Sequence, residues 1–597
     1  MKHNDRASQN TQNQSLPKGM LRKESYREVL SAEGTDRRLL LFWSILVIAA
    51  LIRLIRFGAL PFGVNQDEAM GAVDAWALSL YGTDRFGVSL PVHFSAWQVS
   101  QMSVLLSYLM IPFIKIFGFH TWVIRLPMLL VSIGSVALMY AVGKRLFGER
   151  FALAAMALTA VNPWHFMQSR WSIDCNLFPH VFLLAFYLLL LGLEKRRYLY
   201  LSMVFFGLTF YCYGIAVYSV TPFLAVFALW GIRKKLFSLG EVLLSVLIFS
   251  VVALPEIVVM AINLFRLETM KLGPFTLSFF PESVRGNDIL FLNFSFAQLG
   301  KNIWAMIRCC FLQLPDYWFN AIPAFGPMYH ISIPFMAAGA FLLTRDLFRE
   351  KDVKKQAGKL ALWGFLLTGI WVGIITYEVN VNRINIIFYS LIFITAYAIC
   401  KLADKRLKWA AVAVALYALC AILFVTSYFT VYPRESAQYY NGEFLEAVRR
   451  ADTMDEESSN TWNSHQEGSL DGSLDKPRDN SRDCSLYITG NMGWQFNLSM
   501  AEILTQYACQ IDAHYYQGLT NITDGRELLP YSERYHYINA QNFDWTLGDR
   551  TALYLLHEND LEALEEVCGD LNSLMGYTVI EEIGQFRLVQ LYNIFDD

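Results

Sequence analysis

The sequence predicts a polytopic α-helical membrane protein with a small α/β domain outside the membrane. Of its 597 residues, 55% are hydrophobic and 15% aromatic, whereas only 17% are charged. A soluble chain of this length would expose more polar surface. Apolar runs of about 20 residues, the length that crosses a bilayer, recur between positions 38 and 431. Beyond Pro433 the chain is polar and acidic, which indicates a soluble appendage.

Eleven segments are predicted to cross the membrane, because lysine and arginine then alternate between the two sides as the positive-inside rule requires. The basic clusters that fall on the cytoplasmic side are the N-terminal tail (1–37), GKRLFGER, EKRR, IRKKL, RDLFREKDVKKQAGK and KLADKRLK. With the N-terminus in the cytoplasm, an odd number of crossings places the C-terminus on the extracytoplasmic side of the membrane. The predicted spans are 38–57, 123–143, 151–167, 177–193, 198–213, 215–231, 241–261, 331–344, 360–377, 384–400 and 408–430.

Two features of the N-terminal third complete this topology. The first apolar run is predicted to be an anchor rather than a cleavable signal peptide, since it begins late and lacks a small-residue cleavage site. The segment near 102–118 contains Pro112 and Lys115 and is short, so we expect it to lie in the outer interface. Interfacial helices are therefore expected in the first outer loop.

The C-terminal region divides into a linker and a domain. From residue 434 onward there are 29 Asp and Glu against 10 Lys and Arg. The stretch 457–483 has too few apolar residues to bury a core, so 434–484 is predicted to be an acidic low-complexity linker. Strand and helix patterns alternate through 485–597, which predicts a small extracytoplasmic α/β domain. The transmembrane domain then spans 38–433.

Motifs for nucleotide and metal chemistry are missing from the sequence. There is no P-loop, no GxGxxG opening a helix after a strand and no HExxH, and the nine cysteines have no metal-ligand spacing. No cofactor is expected to be required. A divalent ion that bridges a carboxylate and a phosphate is possible, although the sequence holds no dedicated ligand cluster.

Two adjacent carboxylates, Asp67 and Glu68, follow the first span by about ten residues, at the outer interface. A carboxylate that is partly buried there, or held ionised by a cation, suits a general base. The alternative is structural: Asp67 caps a helix that begins at Glu68.

Further polar residues are predicted on the same face. NPWHFMQSRWSID brings His165, Arg170 and Asp174 to the hinge between the third and fourth spans, and VNVNRINIIF adds Arg383. Because the topology rule disfavours arginine on this side, each guanidinium suggests an anionic ligand. The alternatives are an ion pair of Arg170 with Asp174, snorkelling of Arg383 to lipid phosphate, and a polar interface role for His165.

The outer loop near 262–330 supplies weaker candidates. Asp316, Tyr317, Trp318 and Phe319 could contact a sugar ring or belong to the aromatic belt of the membrane. Glu256, near the outer end of its span behind Pro255, could line the same cavity. Less specific phosphate-binding candidates are Arg285 and Arg308.

The order of these motifs resembles the protein O-mannosyltransferase and aminoarabinose-transferase superfamily, the GT-C class of membrane glycosyltransferases. The resemblance lies in the D-E pair after the first span, the interfacial helix ending in F-G, and the run RLPMLLVSIGSVALMYAVGKRLFGERFALAAMALTAVNPWHFMQSRWSID. It covers 38–235 well, continues weakly to about 430 and excludes the C-terminal domain.

The resemblance implies a GT-C-like enzyme that moves a sugar from a polyprenyl-phosphate donor to an acceptor on the extracytoplasmic face. Asp67 would be the general base with support from Glu68, and Arg383 and Arg170 would bind the donor phosphate. Arg170 and Asp174 would match the family's second outer-face acidic segment. Displacement in one step would invert the anomeric centre. The family's "KPP" entry to the interfacial helix is replaced here by LPVHFSAWQVSQMSVL, so the lipid, glycan or protein acceptor stays open.

Two other classes of function remain at this point. A transporter or lipid flippase is common among polytopic proteins of this size, but usually carries ionisable groups near the bilayer midplane. A polymerase or ligase of lipid-linked glycans would use the same face and substrates. Nothing in the sequence indicates nucleic-acid binding.

Overall fold

The computed structural model describes residues 18–97, 100–281, 289–290, 294–465, 484–523, 525–569 and 575–594. It consists of a helical bundle, a set of short elements at one end of that bundle, and a C-terminal domain built on a five-stranded sheet. Arg285, one of the weaker phosphate candidates, lies outside the described residues.

Helices of 12 to 37 residues occupy the positions of all eleven predicted spans. Seven of the helices within the described residues are long and apolar enough to cross a membrane. The other four are α1, α5, α8 and α12, so the number of eleven crossings stays a prediction. The helices are α1 (Lys18–Leu54), α4 (Thr121–Phe147), α5 (Glu149–Ala160), α7 (Asp174–Gly192), α8 (Arg196–Leu208), α9 (Ala216–Arg233), α10 (Leu239–Phe265), α12 (Ser332–Arg349), α13 (Val353–Ile375), α14 (Ile387–Lys405) and α15 (Leu407–Thr430).

Shorter elements fill the segments between these helices. The predicted interfacial segment contains α3, a helix of 13 residues. It is about 20 Å long at 1.5 Å per residue, too short to cross a hydrocarbon core of about 30 Å. The elements are α2 (Gln66–Tyr81), β1 (His93–Ala96), β2 (Ser100–Ser103), α3 (Leu105–Phe117), α6 (Pro163–Gln168), β3 (Met270–Leu272), β4 (Phe275–Leu277), α11 (Phe296–Met306) and α16 (Tyr432–Ser436).

The C-terminal domain has the predicted α/β character. Its sheet has the strand order β10-β11-β9-β5-β8, in which β5 is parallel to both β8 and β9, and the other pairs are antiparallel. The elements are α17 (Gly442–His465), β5 (Leu486–Thr489), α18 (Leu498–Ala508), α19 (Ala513–Tyr516), β6 (Ile522–Thr523), β7 (Arg526–Glu527), α20 (Tyr531–Arg534), β8 (Tyr535–Ile538), β9 (Leu553–His557), α21 (Leu561–Cys568), β10 (Met575–Ile583) and β11 (Phe586–Asn593).

The first part of the predicted linker forms helix α17. Phe444, Leu445 and Val448 are buried on this helix and belong to the same core as Leu588 of β11. An apolar stripe of this kind on a helix packs against a neighbour. The start of the segment predicted as a linker is therefore part of the C-terminal domain.

The C-terminal domain docks on the first outer loop of the membrane domain. Helix α18 packs along α2, and Tyr81 donates a hydrogen bond of 2.6 Å to Asp512. Gln517 donates to the carbonyl of Arg85 at 3.0 Å, and the hydroxyls of Thr121 and Tyr507 are 2.9 Å apart. These contacts fix the C-terminal domain over the end of the bundle at which α2 begins.

Candidate functional site

A cavity of about 830 Å³ lies where the bundle meets the C-terminal domain. Among the residues singled out from the sequence, Asp67, Asp174, Tyr317 and Arg383 line it, from four separated parts of the chain. Asp67 and Asp174 are the two carboxylates among the described lining residues, and Arg383 is the cation. The remaining lining residues are mainly aromatic side chains and carboxamides, including Asn65, Gln66, Trp171, Tyr213, Tyr218, Phe319, Asn380, Asn382, Gln438, Tyr439 and Trp494.

Asp67 lies in the first turn of α2. The helix begins at Gln66, and its N-cap is Asn65, whose side-chain oxygen accepts a hydrogen bond of 3.1 Å from the Asp67 N–H. The structural alternative, in which Asp67 caps a helix beginning at Glu68, is therefore wrong. Because Asn65 performs the capping, the partly buried Asp67 carboxylate faces the cavity at the positive end of the helix.

Asp174 is held by backbone donors at the start of α7. Its Oδ1 accepts a hydrogen bond of 2.6 Å from the Cys175 N–H, and its Oδ2 accepts one of 3.4 Å from the Ser103 N–H. The carboxylate is thereby tied to β2 of the first outer loop. Asp174 makes no ion pair with Arg170, contrary to one alternative.

Arg383 lies in the loop 376–386 between α13 and α14. Its guanidinium donates to the carbonyl of Tyr377 and is 3.7 Å from the carboxylate of Glu378, which is 85% exposed. The Arg383 N–H donates to the Asn380 side chain at 2.9 Å. The side chain also lines the cavity, where its charge and planar array of donors suit an anionic ligand.

Three candidates from the loop before α12, one acidic and two aromatic, have different positions. Tyr317 lines the cavity, stacked on Phe319 with ring centroids 5.1 Å apart. Asp316 instead accepts a hydrogen bond of 3.2 Å from the Val381 N–H, two residues before Arg383, and so positions that loop. Trp318 packs into an aromatic cluster of the bundle and does not line the cavity, so its predicted substrate contact is wrong.

Glu68 does not line the cavity either and forms a buried ion pair with Arg125 of α4. The guanidinium holds the carboxylate at two points, Nε to Oε1 and NH2 to Oε2, each at 2.8 Å, and both side chains are fully buried. Glu68 Oε1 also accepts a hydrogen bond of 2.8 Å from the Ser172 N–H. The pair therefore fixes the first turn of α2, which carries Asp67, and the position of Glu68 itself does not support the catalytic role predicted for it.

Arg125 is the functional residue that sequence reasoning missed. Besides Glu68, it donates to the carbonyls of Pro61 at 3.0 Å and Gly63 at 2.7 Å, in the loop that leads into α2. The position of Arg125 in the sequence could have indicated this role. A charged residue at the start of an apolar span needs a partner, because an isolated charge there is costly.

Arg170 is buried and does not bind a phosphate in this arrangement. Its NH1 donates to the carbonyl of Arg53 at 2.7 Å, and its NH2 donates to the carbonyls of Ile55 at 2.8 Å and Arg56 at 3.1 Å. These bonds tie Arg170 to carbonyls in the last turn of α1 and in the residues that follow it, a region where a helix leaves carbonyls without intrahelical donors. The predicted donor-phosphate role of Arg170 is therefore wrong.

His165 and Glu256 are also occupied in structural contacts away from the cavity. The His165 ring lies 2.9 Å from the Arg53 guanidinium and 3.1 Å from the Tyr389 hydroxyl. Glu256 of α10 pairs with His93 of β1 and thereby fixes the β1–β2 hairpin on the bundle. Neither residue contributes to the cavity lining, contrary to the prediction. Arg308 is exposed and does not line it.

Within the described ranges, no group of three or more His, Cys, Asp or Glu side chains is arranged to hold a metal ion. The polar chemistry that the cavity offers is that of two carboxylates, one guanidinium and several carboxamides.

Part of the chain is similar in sequence to proteins described as mannosyltransferases. Residues 102–258 match the family model described as dolichyl-phosphate-mannose-protein mannosyltransferase. Two proteins of Bacillus subtilis (strain 168) also match. "Putative mannosyltransferase YkcB" is 33% identical over 134 residues, 21% of this chain and 19% of that protein. "Putative mannosyltransferase YycA" is 30% identical over 141 residues, which are 23% of this chain and 21% of that protein. The matches thus span about a fifth of the length of these relatives.

The similarity in fold covers nearly the whole chain. The crystal structure of ArnT from Cupriavidus metallidurans bound to undecaprenyl phosphate aligns with 93% of this chain and 97% of its own, at 11% identity and a TM-score of 0.51. The apo structure of the same protein aligns with 94% and 98%, at 13% identity and a TM-score of 0.50. The resemblance to the GT-C class is confirmed, and the fold is a polytopic GT-C fold with an appended sheet domain.

Replacing Arg125 with methionine is expected to destabilise the protein strongly. The substitution leaves the Glu68 carboxylate buried without its partner, which costs about 3–5 kcal/mol in comparable buried pairs. Thermal unfolding of the purified protein in detergent measures the change.

The matched control is Arg150→Gln, which removes an ion pair with Asp404 whose side chains are 88% and 59% exposed. An exposed pair of this kind is worth less than about 1 kcal/mol. Equal unfolding temperatures for Arg125→Met and Arg150→Gln would contradict the assigned role of the buried pair.

Proposed function

We propose that this protein is a membrane glycosyltransferase that transfers a sugar from a polyprenyl-phosphate donor to an acceptor hydroxyl on the extracytoplasmic face. The observation that carries the proposal is that a single cavity brings together Asp67, Asp174 and Arg383 from three parts of the chain. The GT-C fold and the mannosyltransferase family match over 102–258 support the same reaction class.

The donor in this proposal is anchored in the bilayer, so its phosphate lies at the membrane surface. Arg383 is the cation among the described residues that line the cavity, and a guanidinium suits phosphate oxygens. ArnT, which shares the fold, has been crystallised with undecaprenyl phosphate, a lipid of this chemistry.

The reaction we propose is a single displacement. Asp67 accepts the proton of the acceptor hydroxyl as its oxygen attacks the anomeric carbon, and the bond from that carbon to the phosphate oxygen breaks. The phosphate leaves with the electron pair, and Arg383 offsets the added negative charge. Asp174 is placed to hydrogen-bond a sugar hydroxyl. Attack opposite the leaving phosphate inverts the anomeric centre.

The orientation we propose places the N-terminus in the cytoplasm and the C-terminal domain outside the cytoplasmic membrane. Its support is the distribution of basic loops, which lie at the bundle end remote from the cavity. In this orientation the cavity opens outside the cell, where no nucleotide sugars occur. Sugar transfer there needs a lipid-linked donor.

Asp67→Asn is expected to lower sugar transfer at least about 100-fold, because the amide cannot accept the proton. The assay incubates the protein in lipid nanodiscs with a panel of polyprenyl-phosphate sugars and follows donor consumption by mass spectrometry. The control variant Glu582→Gln, a carboxylate that is 69% exposed on the C-terminal domain, should keep wild-type turnover. Wild-type turnover by Asp67→Asn would refute the base assignment, and substrate flux across vesicles without turnover would favour a transporter.

Arg383→Gln is expected to weaken binding of undecaprenyl phosphate by about 10- to 100-fold, the loss of about 1.5–3 kcal/mol from a charged hydrogen bond. Native mass spectrometry of the full chain measures the retained lipid. Arg308→Gln removes an exposed guanidinium that does not line the cavity, so its lipid retention should equal that of the wild type. Equal losses in the two variants would show that Arg383 acts as a general surface charge.

The orientation is tested with single cysteines, one at each end of the bundle, in a background whose nine native cysteines are replaced by serine. Leu547→Cys, on an 83% exposed position of the C-terminal domain, should react with a membrane-impermeant maleimide on intact cells. Lys351→Cys, in the loop between α12 and α13, should react only after permeabilisation. The reverse pattern would place the cavity on the cytoplasmic side.

A further inference from the structure

The cavity has more neutral polar groups than the donor phosphate alone would require. Among its described lining residues there is one cation, Arg383, which the proposed function assigns to the donor. The described lining also supplies carboxamides, each of which offers both donors and acceptors to hydroxyl groups.

Gln66 is the carboxamide next to the proposed base. It occupies the first position of α2, and its buried Oε1 has no hydrogen-bond partner among the described residues. A buried polar atom without a partner is costly in a folded protein, and a ligand hydroxyl can satisfy it. An acceptor hydroxyl held by Gln66 would bring a neighbouring hydroxyl of the same molecule towards Asp67.

A second amide group points to the same kind of ligand on the opposite wall. Asn382 lies one residue before Arg383, and its Oδ1 accepts a hydrogen bond of 3.2 Å from Gln168. In the described part of the chain its Nδ2 donates no bond that we observe, so this nitrogen is available to a hydroxyl oxygen in the cavity.

An aromatic wall faces these groups and joins the two domains. The rings of Tyr317 and Phe319 are stacked at an interplanar angle of 7°, and Tyr439 meets Phe319 edge-on at 5.3 Å. Trp494, from the loop between β5 and α18 of the C-terminal domain, meets Tyr439 at 5.6 Å. Aromatic faces of this kind pack against flat, partly apolar ligands.

The loop that carries Trp494 is held in place by its own hydrogen bonds. Asn491 donates to Asp560 at 3.1 Å and accepts from the Gly493 N–H at 2.9 Å. The Trp494 indole N–H donates to Asn441 at 3.5 Å, the residue that precedes α17. The C-terminal domain therefore presents the Trp494 ring to the cavity from a constrained loop.

We propose that the acceptor is a neutral carbohydrate whose ring packs on the aromatic wall that Trp494 completes, with its hydroxyls bonded to Gln66 and Asn382. This inference rests on the proposed function and names its acceptor class. A sugar ring has apolar faces and hydroxyls at its edge. The faces can pack on the aromatic rings of the lining, and the hydroxyls can bond to its carboxamides.

The test uses the full chain in nanodiscs and saturation-transfer NMR with three probes: methyl α-mannoside, mannose 1-phosphate and a threonine-containing peptide. The neutral glycoside should bind in preference to the other two. Trp494→Ala and Gln66→Leu should each weaken its binding roughly tenfold, the equivalent of about 1.4 kcal/mol, and Trp494→Phe should recover most of it. The control Trp409→Ala, a 63% exposed ring at the start of α15, should match the wild type.

Preferential binding of the peptide or of mannose 1-phosphate would overturn the inference, as would neutral-sugar binding that Trp494→Ala leaves unchanged. Retention of undecaprenyl phosphate and donor consumption are measured on the same samples. If the donor is neither bound nor consumed, the proposed function fails. If the donor is consumed but the neutral glycoside does not bind, only the acceptor assignment fails.

Discussion

The buried ion pair between Glu68 and Arg125 is the interaction on which the arrangement of the cavity depends. Two charges removed from water are stable only when they pair closely and their remaining donors are satisfied. Here the guanidinium is bound by both carboxylate oxygens and by carbonyls of the loop before α2, and the carboxylate also holds Ser172. Since Asp67 adjoins Glu68 and Asp174 lies two residues beyond Ser172, one pair sets the positions of both cavity carboxylates.

The other walls of the cavity are also held in place by contacts outside it. Asp316 bonds to the backbone of Val381 and so fixes the loop that presents Arg383. Helix α18 packs on α2, which brings the Trp494 loop of the C-terminal domain over the cavity. Glu68 and Asp316 thus act as scaffolding, while Asp67, Asp174 and the Arg383 guanidinium line the cavity. Preorganised charge of this kind is what displacement at a phosphate-linked carbon requires.

The sequence predicted the helices and the bundle end where the cavity lies, because hydrophobic run length and the side on which basic residues fall are local properties. It also identified Asp67, Asp174 and Arg383, which stand out as charges near apolar spans. It could not distinguish them from Glu68, Arg170, His165 and Glu256, which are charged or polar residues on the same elements. Whether such a group meets a ligand, another side chain or a helix's last carbonyls is decided by tertiary packing. The helix α17 was missed because its apolar residues are followed directly by an acidic, polar stretch.

The most direct test of the account is a cryo-electron-microscopy structure of the full chain in nanodiscs with undecaprenyl phosphate. The account predicts density for the phosphate within about 3 Å of the Arg383 guanidinium, in the cavity lined by Asp67 and Asp174, with the lipid chain leaving between helices. Density for the phosphate at the opposite end of the bundle, in the cavity lined by Arg150, Lys359 and Lys401, would contradict it.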